Sequence, residues 1–426
     1  MKQHFKALSL YPEALKSPLI RKKFIFTILI LALFRFIAHV PVPGVNITLL
    51  KSFFSQNQFL SLLDIFSGGT LANFSIAALG LNPYINASIM LQILAFIVPE
   101  LKELQKEGEY GREKLDRYTR IITIPLAIFQ AFAMYGILNS QKIIINQSPL
   151  IIIALVASML AGTMIMIFFG QLINEYGIGN GISVLIFAGI ISRLPVSAIQ
   201  SFVLADWSNP QTLFNIIVFA ALIFAIVLAV VTVEEAVYRI PVSYAKRGQN
   251  TYLPIKVNVS GVMPIIFAVS LVSLPSLLGQ ALARSSQSTL AAISRFLIQN
   301  FNSNSVLYLI VYFLLVIVFT FFYSTVVFKP KDVAEELRKS GGYIPGIRPG
   351  SATEKRLTFI LYRVVFIGAF FLALIAVLPA IIQKITGLSS LTIGGTSVLI
   401  VVSVILELHR KIENVVQMYN YDKLTY

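Results

Sequence analysis

The stretch FSGGTLANFSIAALGLNPYINASIMLQILAFIVPE, Phe66 to Glu100, decides how the rest of the chain is read. It is apolar enough to cross a bilayer. Yet it opens on Gly68-Gly69, carries Asn82-Pro83, and holds Asn86 and Gln92 in its interior. A segment that only sat in lipid would avoid such residues. The piece FLSLLDIFSGGTLAN, from about Phe59 to Asn73, is too short and too interrupted by glycine to span. It predicts a short helix up to Phe66 and then a turn, a re-entrant segment placed just before a full span. Irregular backbone at membrane depth is tolerated only where it is buried in protein or lines a wet cavity. This piece is therefore expected inside the protein and away from acyl chains.

In the following span Leu81 and Ile85 stand four residues apart on one helical face, and Asn82 and Asn86 share the neighbouring face. Pro83 is expected to remove one helical hydrogen bond. Two accounts of this pattern are open. The amides can glue helices together, as polar side chains do in many multi-span proteins. Alternatively the helix lines a pore, with apolar side chains narrowing it and amides nearby.

Composition decides the solvent. Of 426 residues, 57% are hydrophobic and 12% charged, against roughly 25% charged in soluble domains. Lipid is the expected surrounding. There is no cysteine, so disulfides, thiol nucleophiles and thiolate metal sites are excluded. His4, His39 and His409 lie far apart in sequence, which argues against a histidine metal site. Neither a G-x-x-x-x-G-K-[ST] loop nor a Ser-His-Asp set is found, so neither nucleotide hydrolysis nor covalent catalysis is expected, and no cofactor is called for.

About 20 apolar residues cross the hydrocarbon. Ten stretches qualify: 24–40, 75–97, 120–139, 148–169, 182–200, 212–232, 259–279, 305–328, 358–381 and 390–409. With the amino terminus inside, the basic residues on outer segments are Lys51, Lys142, Arg193, Arg284, Arg295 and Lys384, few among the 34 of the chain. This asymmetry predicts ten spans with both termini cytoplasmic, and it accounts for most of the net charge of +15 as an orientation signal. Arg35 and Arg363 fall within expected spans, and no span has a central carboxylate, which weakens an ion-coupled transporter.

Two inner loops exceed what orientation needs: 233–258, VEEAVYRIPVSYAKRGQNTYLPIKVN, and 329–357, beginning KPKDVAEELRKSGGYIPGIRPG. In the second, DVAEELRKSGG predicts a short exposed helix ending at Gly341-Gly342, and YIPGIRPG a stiff turn presenting Arg348. Long structured loops usually carry function, although a solvated connector is the plain alternative. Glycines and prolines also punctuate other spans, at Gly177, Gly179, Gly181, Gly261, Pro264 and Gly394-Gly395. Broken helices often mark a translocation path.

Read together, RFIAHVPVPGV, ALGLNPYINASIMLQIL, GIGNGISVLIFAGI, YAKRGQNTYLPIKVNVSGVMPIIFA, KPKDVAEELRKSGGYIPGIRPG and GGTSVLIVVSVILEL, in this order, resemble the SecY family of protein-translocase channel subunits nearly end to end. The resemblance implies an all-α membrane protein. Its ten transmembrane helices would form two pseudo-symmetric five-helix halves, 1–200 and 201–426, hinged at an outer loop near Arg193 to Pro210, with a re-entrant plug helix at about 60–73. It implies a pore ring of Leu81, Ile85, Ile190, Ile266 and Ile400, and a plug carrying Leu63, Ile65, Ser67, Gly68 and Gly69. A lateral gate would use Gln92 and Asn258. Docking of a ribosome or of the SecA motor would use Arg239, Lys246, Arg247 and Arg348.

The implied partners are SecE- and SecG-like subunits, SecA and/or the ribosome through its RNA, secretory or nascent polypeptides, and membrane lipids. The implied location is the bacterial inner membrane, with the thylakoid as an alternative. The chain departs from the family pattern in two places: the 233–258 loop is short between AKR and YLPIKVN, and Tyr238 stands before Arg239 where a second basic residue is common. A secondary transporter of a small solute is the competing function. It would need a mid-membrane carboxylate and a polar substrate pocket.

Overall fold

In a computed structural model the described residues are 18–42, 44–46, 48–50, 69–71, 73–140, 143–144, 148–203, 210–244, 250–282, 288–302, 305–386 and 395–425. The helices are α1 (Pro18–Ile37), α2 (Asn82–Ile97), α3 (Pro99–Leu104), α4 (Glu109–Ser140), α5 (Pro149–Tyr176), α6 (Gly181–Val203), α7 (Pro210–Glu235), α8 (Met263–Leu282), α9 (Ser288–Asn300), α10 (Val306–Val327), α11 (Pro330–Lys339), α12 (Ser351–Thr386) and α13 (Gly395–Thr425). Each of the ten expected spans meets one of these helices. Among the described residues, α4, α5, α10 and α12 are by themselves long and apolar enough to cross a bilayer. Large apolar side chains such as Phe129, Phe168, Phe224, Leu314 and Phe366 are exposed along the helices, a surface that lipid and not water can solvate.

The chain forms two compact units. One gathers residues 1–202, 277–298 and 404–426, and the other 203–276 and 299–403. In the first unit α2 packs on α4, α4 on α5, and α1 on α5. Its core includes Leu71, Phe74, Leu79, Leu138, Leu155 and Met159. Two close approaches explain Gly162 and Gly181, of which the sequence singles out only Gly181, as a helix-weakening residue. A Cβ at Gly162 of α5 would lie 1.9 Å from the Ile76 carbonyl oxygen, and one at Gly181 would lie 1.9 Å from the Gly170 carbonyl oxygen. Backbone meets backbone at both points, so only hydrogen fits.

In the second unit α10 packs along α12 and α11 on α12. The chain is not purely helical here. The 233–258 loop is a hairpin of β1 (Val237–Tyr244) and β2 (Asn250–Lys256), and β3 (Gly342–Tyr343), from the other long loop, pairs with β1. All three strands are antiparallel neighbours in the order β2-β1-β3. Along β1 the period of two sends Ile240 and Val242 inward and leaves Arg239 and Pro241 exposed. Ile240 and Ile255 then join Ala334, Ile344, Leu357 and Leu361 in one apolar cluster, which seats the sheet on α11 and α12. The two loops are thus one structural piece.

Two boundaries and one hydrogen-bond expectation are corrected. The span expected over 75–97 is helical only from Asn82, because Phe74 (φ 42°) and Gly80 (φ 55°) break the chain before it. Pro83 lies in the first turn of α2, where its missing N–H would have had no helical partner, so it removes no hydrogen bond. The outer loop expected near Arg193 to Pro210 is helical as far as Val203, and 204–209 lie outside the described residues. The helix expected in DVAEELRKSGG is present as α11, with Asp332 in its first turn and Gly341 at φ 73° behind it.

Candidate functional site

The first unit holds the decisive stretch. Leu63, Ile65, Ser67 and Gly68 lie outside the described residues. From Gly69 (φ 86°) to Leu81 the described residues, 69–71 and 73–81, form turns and one isolated bridge. These turns are tied to the segment after α1. The Val42 N–H donates to the Phe74 carbonyl (2.9 Å), Ile76 N–H to Val40 (3.0 Å), and Ser75 N–H to Thr70 (2.9 Å). Gly69, Thr70, Leu71, Phe74, Ser75 and Ala77 through Leu81 are all buried. Non-helical backbone in an apolar chain is thus satisfied internally and shielded, as the bilayer requires.

This framework ends at the predicted ring residues of the unit. Leu81 caps α2 and accepts the Ile85 N–H at 2.9 Å. Both side chains are buried, and Ile190 of α6 is fully buried. Asn82 and Asn86 are half-buried beside them.

Gln92 stands further along α2. Its Nε2 donates to the Ser88 hydroxyl at 3.1 Å, while its Oε1 is buried and accepts no hydrogen bond among the described residues. It borders a cleft of about 210 Å³ with Tyr84, Ser88, Arg112, Asp116 and Thr119. There the Tyr84 hydroxyl donates to Asp116 at 2.8 Å, and Asp116 pairs with Arg120 at 3.5 Å. Arg35, the in-span cation of α1, directs Nη2 to the Ala188 carbonyl of α6 at 3.5 Å, with its guanidinium carbon 5.5 Å from the Phe34 ring centre.

The second unit holds the remaining predicted residues. Ile400 of α13 is buried, and Ile266 of α8 is half-buried. Asn258 is buried at the foot of α8 and answers a side chain that sequence reasoning missed. Its Nδ2 donates to the Glu234 carboxylate at 2.6 Å and to the Gly261 carbonyl at 3.1 Å. The Ser403 hydroxyl of α13 donates to the same Glu234 oxygen at 2.8 Å. Glu234 is 7% exposed. One carboxylate oxygen therefore joins the end of α7, the chain entering α8, and α13. The signal in sequence was an acidic pair, Glu234-Glu235, closing an otherwise uncharged apolar span, but the partners of Glu234 lie 24 and 169 residues away.

At the loops, Arg239 is exposed on β1 and Arg348 is exposed in the turn before α12. Gly346 (φ 78°) and Gly350 (φ 103°) frame that turn, and the Thr353 hydroxyl donates to the Arg348 carbonyl at 3.0 Å. Lys246 and Arg247 lie outside the described residues. Among the described residues no cluster of three or more His, Asp or Glu could hold a metal ion.

Comparison with known proteins adds the family. The SecY family model matches residues 75–409. A Thermotoga maritima protein named protein translocase subunit SecY is 41% identical over 431 residues, covering 97% of this chain and 96% of that protein. A Bacillus subtilis (strain 168) protein of the same name is 41% identical, covering 94% and 96%. Among solved structures, one described as a protein conducting channel superposes with a TM-score of 0.66 at 19% identity over 93% of both chains. A canine Sec61 in a ribosome-channel complex superposes at 0.61, also at 19% identity and 93% of both chains. The second pair speaks to the fold; the first pair, with the family match, speaks to descent. This chain, a multi-pass membrane protein built on that fold, belongs to the SecY family.

Proposed function

We propose that this chain is the channel-forming subunit of a protein translocase. It would be a passive conduit through which secretory polypeptides cross the membrane and from which apolar segments leave sideways into lipid. The observation that carries the reading is the end-to-end similarity, at about two residues in five, to relatives named protein translocase subunit SecY. As a member of that channel family the chain is not an enzyme, and a ribosome or motor supplies the drive.

Polypeptides present every kind of side chain, so the conduit must not read sequence through hydrogen bonds. Leu81, Ile85 and Ile190 from one half and Ile266 and Ile400 from the other are assigned to a yielding apolar ring, which resists ions when dry and closed. Residues of about 60–73 serve as the plug, carrying Leu63, Ile65, Ser67, Gly68 and Gly69. The buried, internally bonded turns from Gly69 to Leu81 support a fixed seat behind it. Gln92 and Asn258 belong to the lateral gate. A client segment leaving there gains about 0.8 kcal/mol for each CH₂ it moves into lipid.

All ten helices cross the membrane in this reading, as two five-helix halves, 1–200 and 201–426, with both termini cytoplasmic. Arg239, Lys246, Arg247 and Arg348 receive the ribosome or SecA. Exposure of Arg239 and Arg348 on loops joined by one sheet supports a shared docking surface. SecE- and SecG-like subunits complete the complex, and the bacterial relatives favour the bacterial inner membrane.

The test uses the absence of native cysteine. Cysteine introduced at Leu81 or Ile266 should form a disulfide with a cysteine in a secretory chain stalled in transit. Protection of these positions by a small solute, with no cross-link to the polypeptide, would favour a solute transporter and end the proposal.

A further inference from the structure

We infer that α12 carries a binding site for the headgroup of an anionic phospholipid, built from Arg356, Phe359 and Arg363. Arg363 lies within an apolar span, where a cation requires a partner or a route to the interface. No carboxylate stands three or four residues from either arginine in the sequence. Neither forms an ion pair among the described residues. Instead, both guanidiniums address one ring. The Arg363 guanidinium carbon lies 4.1 Å from the Phe359 ring centre and that of Arg356 lies 5.7 Å from it. The two cations are therefore within about 10 Å of each other, a distance at which like charges repel and a shared anion is favoured.

The geometry follows from the helix. Side chains lean toward a helix's amino-terminal end, so Arg363 reaches back over Phe359 toward the polar segment SATEKR, out of the hydrocarbon. Arg356, Phe359, Arg363, Phe366 and Phe370 share one helical stripe, and all five are exposed. Two cations at the polar end and two phenylalanines running toward the membrane centre match a phosphate with an acyl chain below it. Charge complementarity and this apolar continuation select a lipid over a soluble phosphate. The site requires only that α12 crosses the bilayer, so it stands or falls separately from the channel reading.

The experiment places tryptophan at Phe359 in a Trp207→Phe background, which leaves 359 as the chain's single tryptophan. The complex purified with its partner subunits is reconstituted into vesicles holding brominated phosphatidylglycerol or brominated phosphatidylcholine. Its fluorescence is compared with that of the same complex retaining Phe359. Phosphatidylglycerol should quench at a mole fraction on the order of tenfold lower, since each surface arginine contributes a few-fold preference for anionic lipid. Arg356→Gln with Arg363→Gln should abolish the preference while leaving quenching by phosphatidylcholine intact, which shows that the chain is still inserted.

Equal quenching by both lipids overturns the site. So does quenching by neither, which would mean that a partner subunit covers the stripe and supplies the anion. Displacement of the brominated lipid by soluble glycerophosphoglycerol would make the ligand a free phosphate and likewise overturn it.

Discussion

Replacing Glu234 by alanine should destabilise the second unit by about 2–4 kcal/mol, as the loss of two buried hydrogen bonds to a carboxylate oxygen predicts. Those bonds come from Asn258 at 2.6 Å and Ser403 at 2.8 Å, and all three residues are buried. Asn258 keeps a second acceptor in the Gly261 carbonyl at 3.1 Å, which holds the loss toward the lower part of the range. Glu234→Gln retains an oxygen at the same place and should cost about 1 kcal/mol. Equilibrium unfolding of the purified chain in mixed micelles measures both variants. A double-mutant cycle with Ser403→Ala adds the discriminating result, a coupling of about 1 kcal/mol between Glu234 and Ser403. Additive effects, or a cost for Glu234→Ala below about 0.5 kcal/mol, the range of an ordinary surface change, would refute the argument that one carboxylate holds three segments together.

Three further outcomes are expected. Gly162→Ala should lower thermal stability and yield sharply, because its Cβ would sit 1.9 Å from the Ile76 carbonyl oxygen; Gly136→Ala, where nothing lies within 4 Å, should be neutral or slightly stabilising in the same melts. Ile240→Asp puts a charge into the cluster that seats the sheet and should unfasten both long loops, read as new protease cleavage around 237–256 while α10 and α12 stay protected; an unchanged digestion pattern would deny that the two loops are one piece. Arg348→Glu reverses an exposed charge on a turn framed by positive-φ glycines. It should leave the melting temperature within about 1–2 °C, as surface changes do, while lowering ribosome or motor binding at least several-fold in a co-sedimentation assay.

Much of the fold was legible because lipid imposes a coarse rule. Every span must be apolar for about 20 residues, and α4, α5, α10 and α12 satisfy it plainly. The short helix α11 was legible from its own ends, Asp332 in its first turn and glycine behind. The β1–β2 hairpin was not. Its alternation, Ile240 and Val242 in against Arg239 and Pro241 out, runs for only eight residues and needs α11 and α12 beneath it to bury anything. Gly181 was legible only as a helix-weakening residue and Gly162 was passed over; both are places of close approach, a property of what lies opposite them. Spacing put Leu81 and Ile85 on one helical face, and only the family resemblance assigned them to a ring; their helix was expected to begin seven residues too early because the turns before it are as apolar as the helix itself.

Hydrophobic content, span count and the exclusion of thiol and nucleotide chemistry belong to the sequence by itself, since each depends on residue type summed over a window and not on neighbours in space. Which polar groups are satisfied, and by what, belongs to the tertiary structure. Glu234, Asn258 and Ser403 are unremarkable apart and meet only when α7, α8 and α13 are packed together. Arg356 and Arg363 share a ring only once the helix brings residues seven apart onto one stripe. Hydrogen bonds and charge pairs act over a few ångströms, and a linear chain does not say which of its distant residues will come that close.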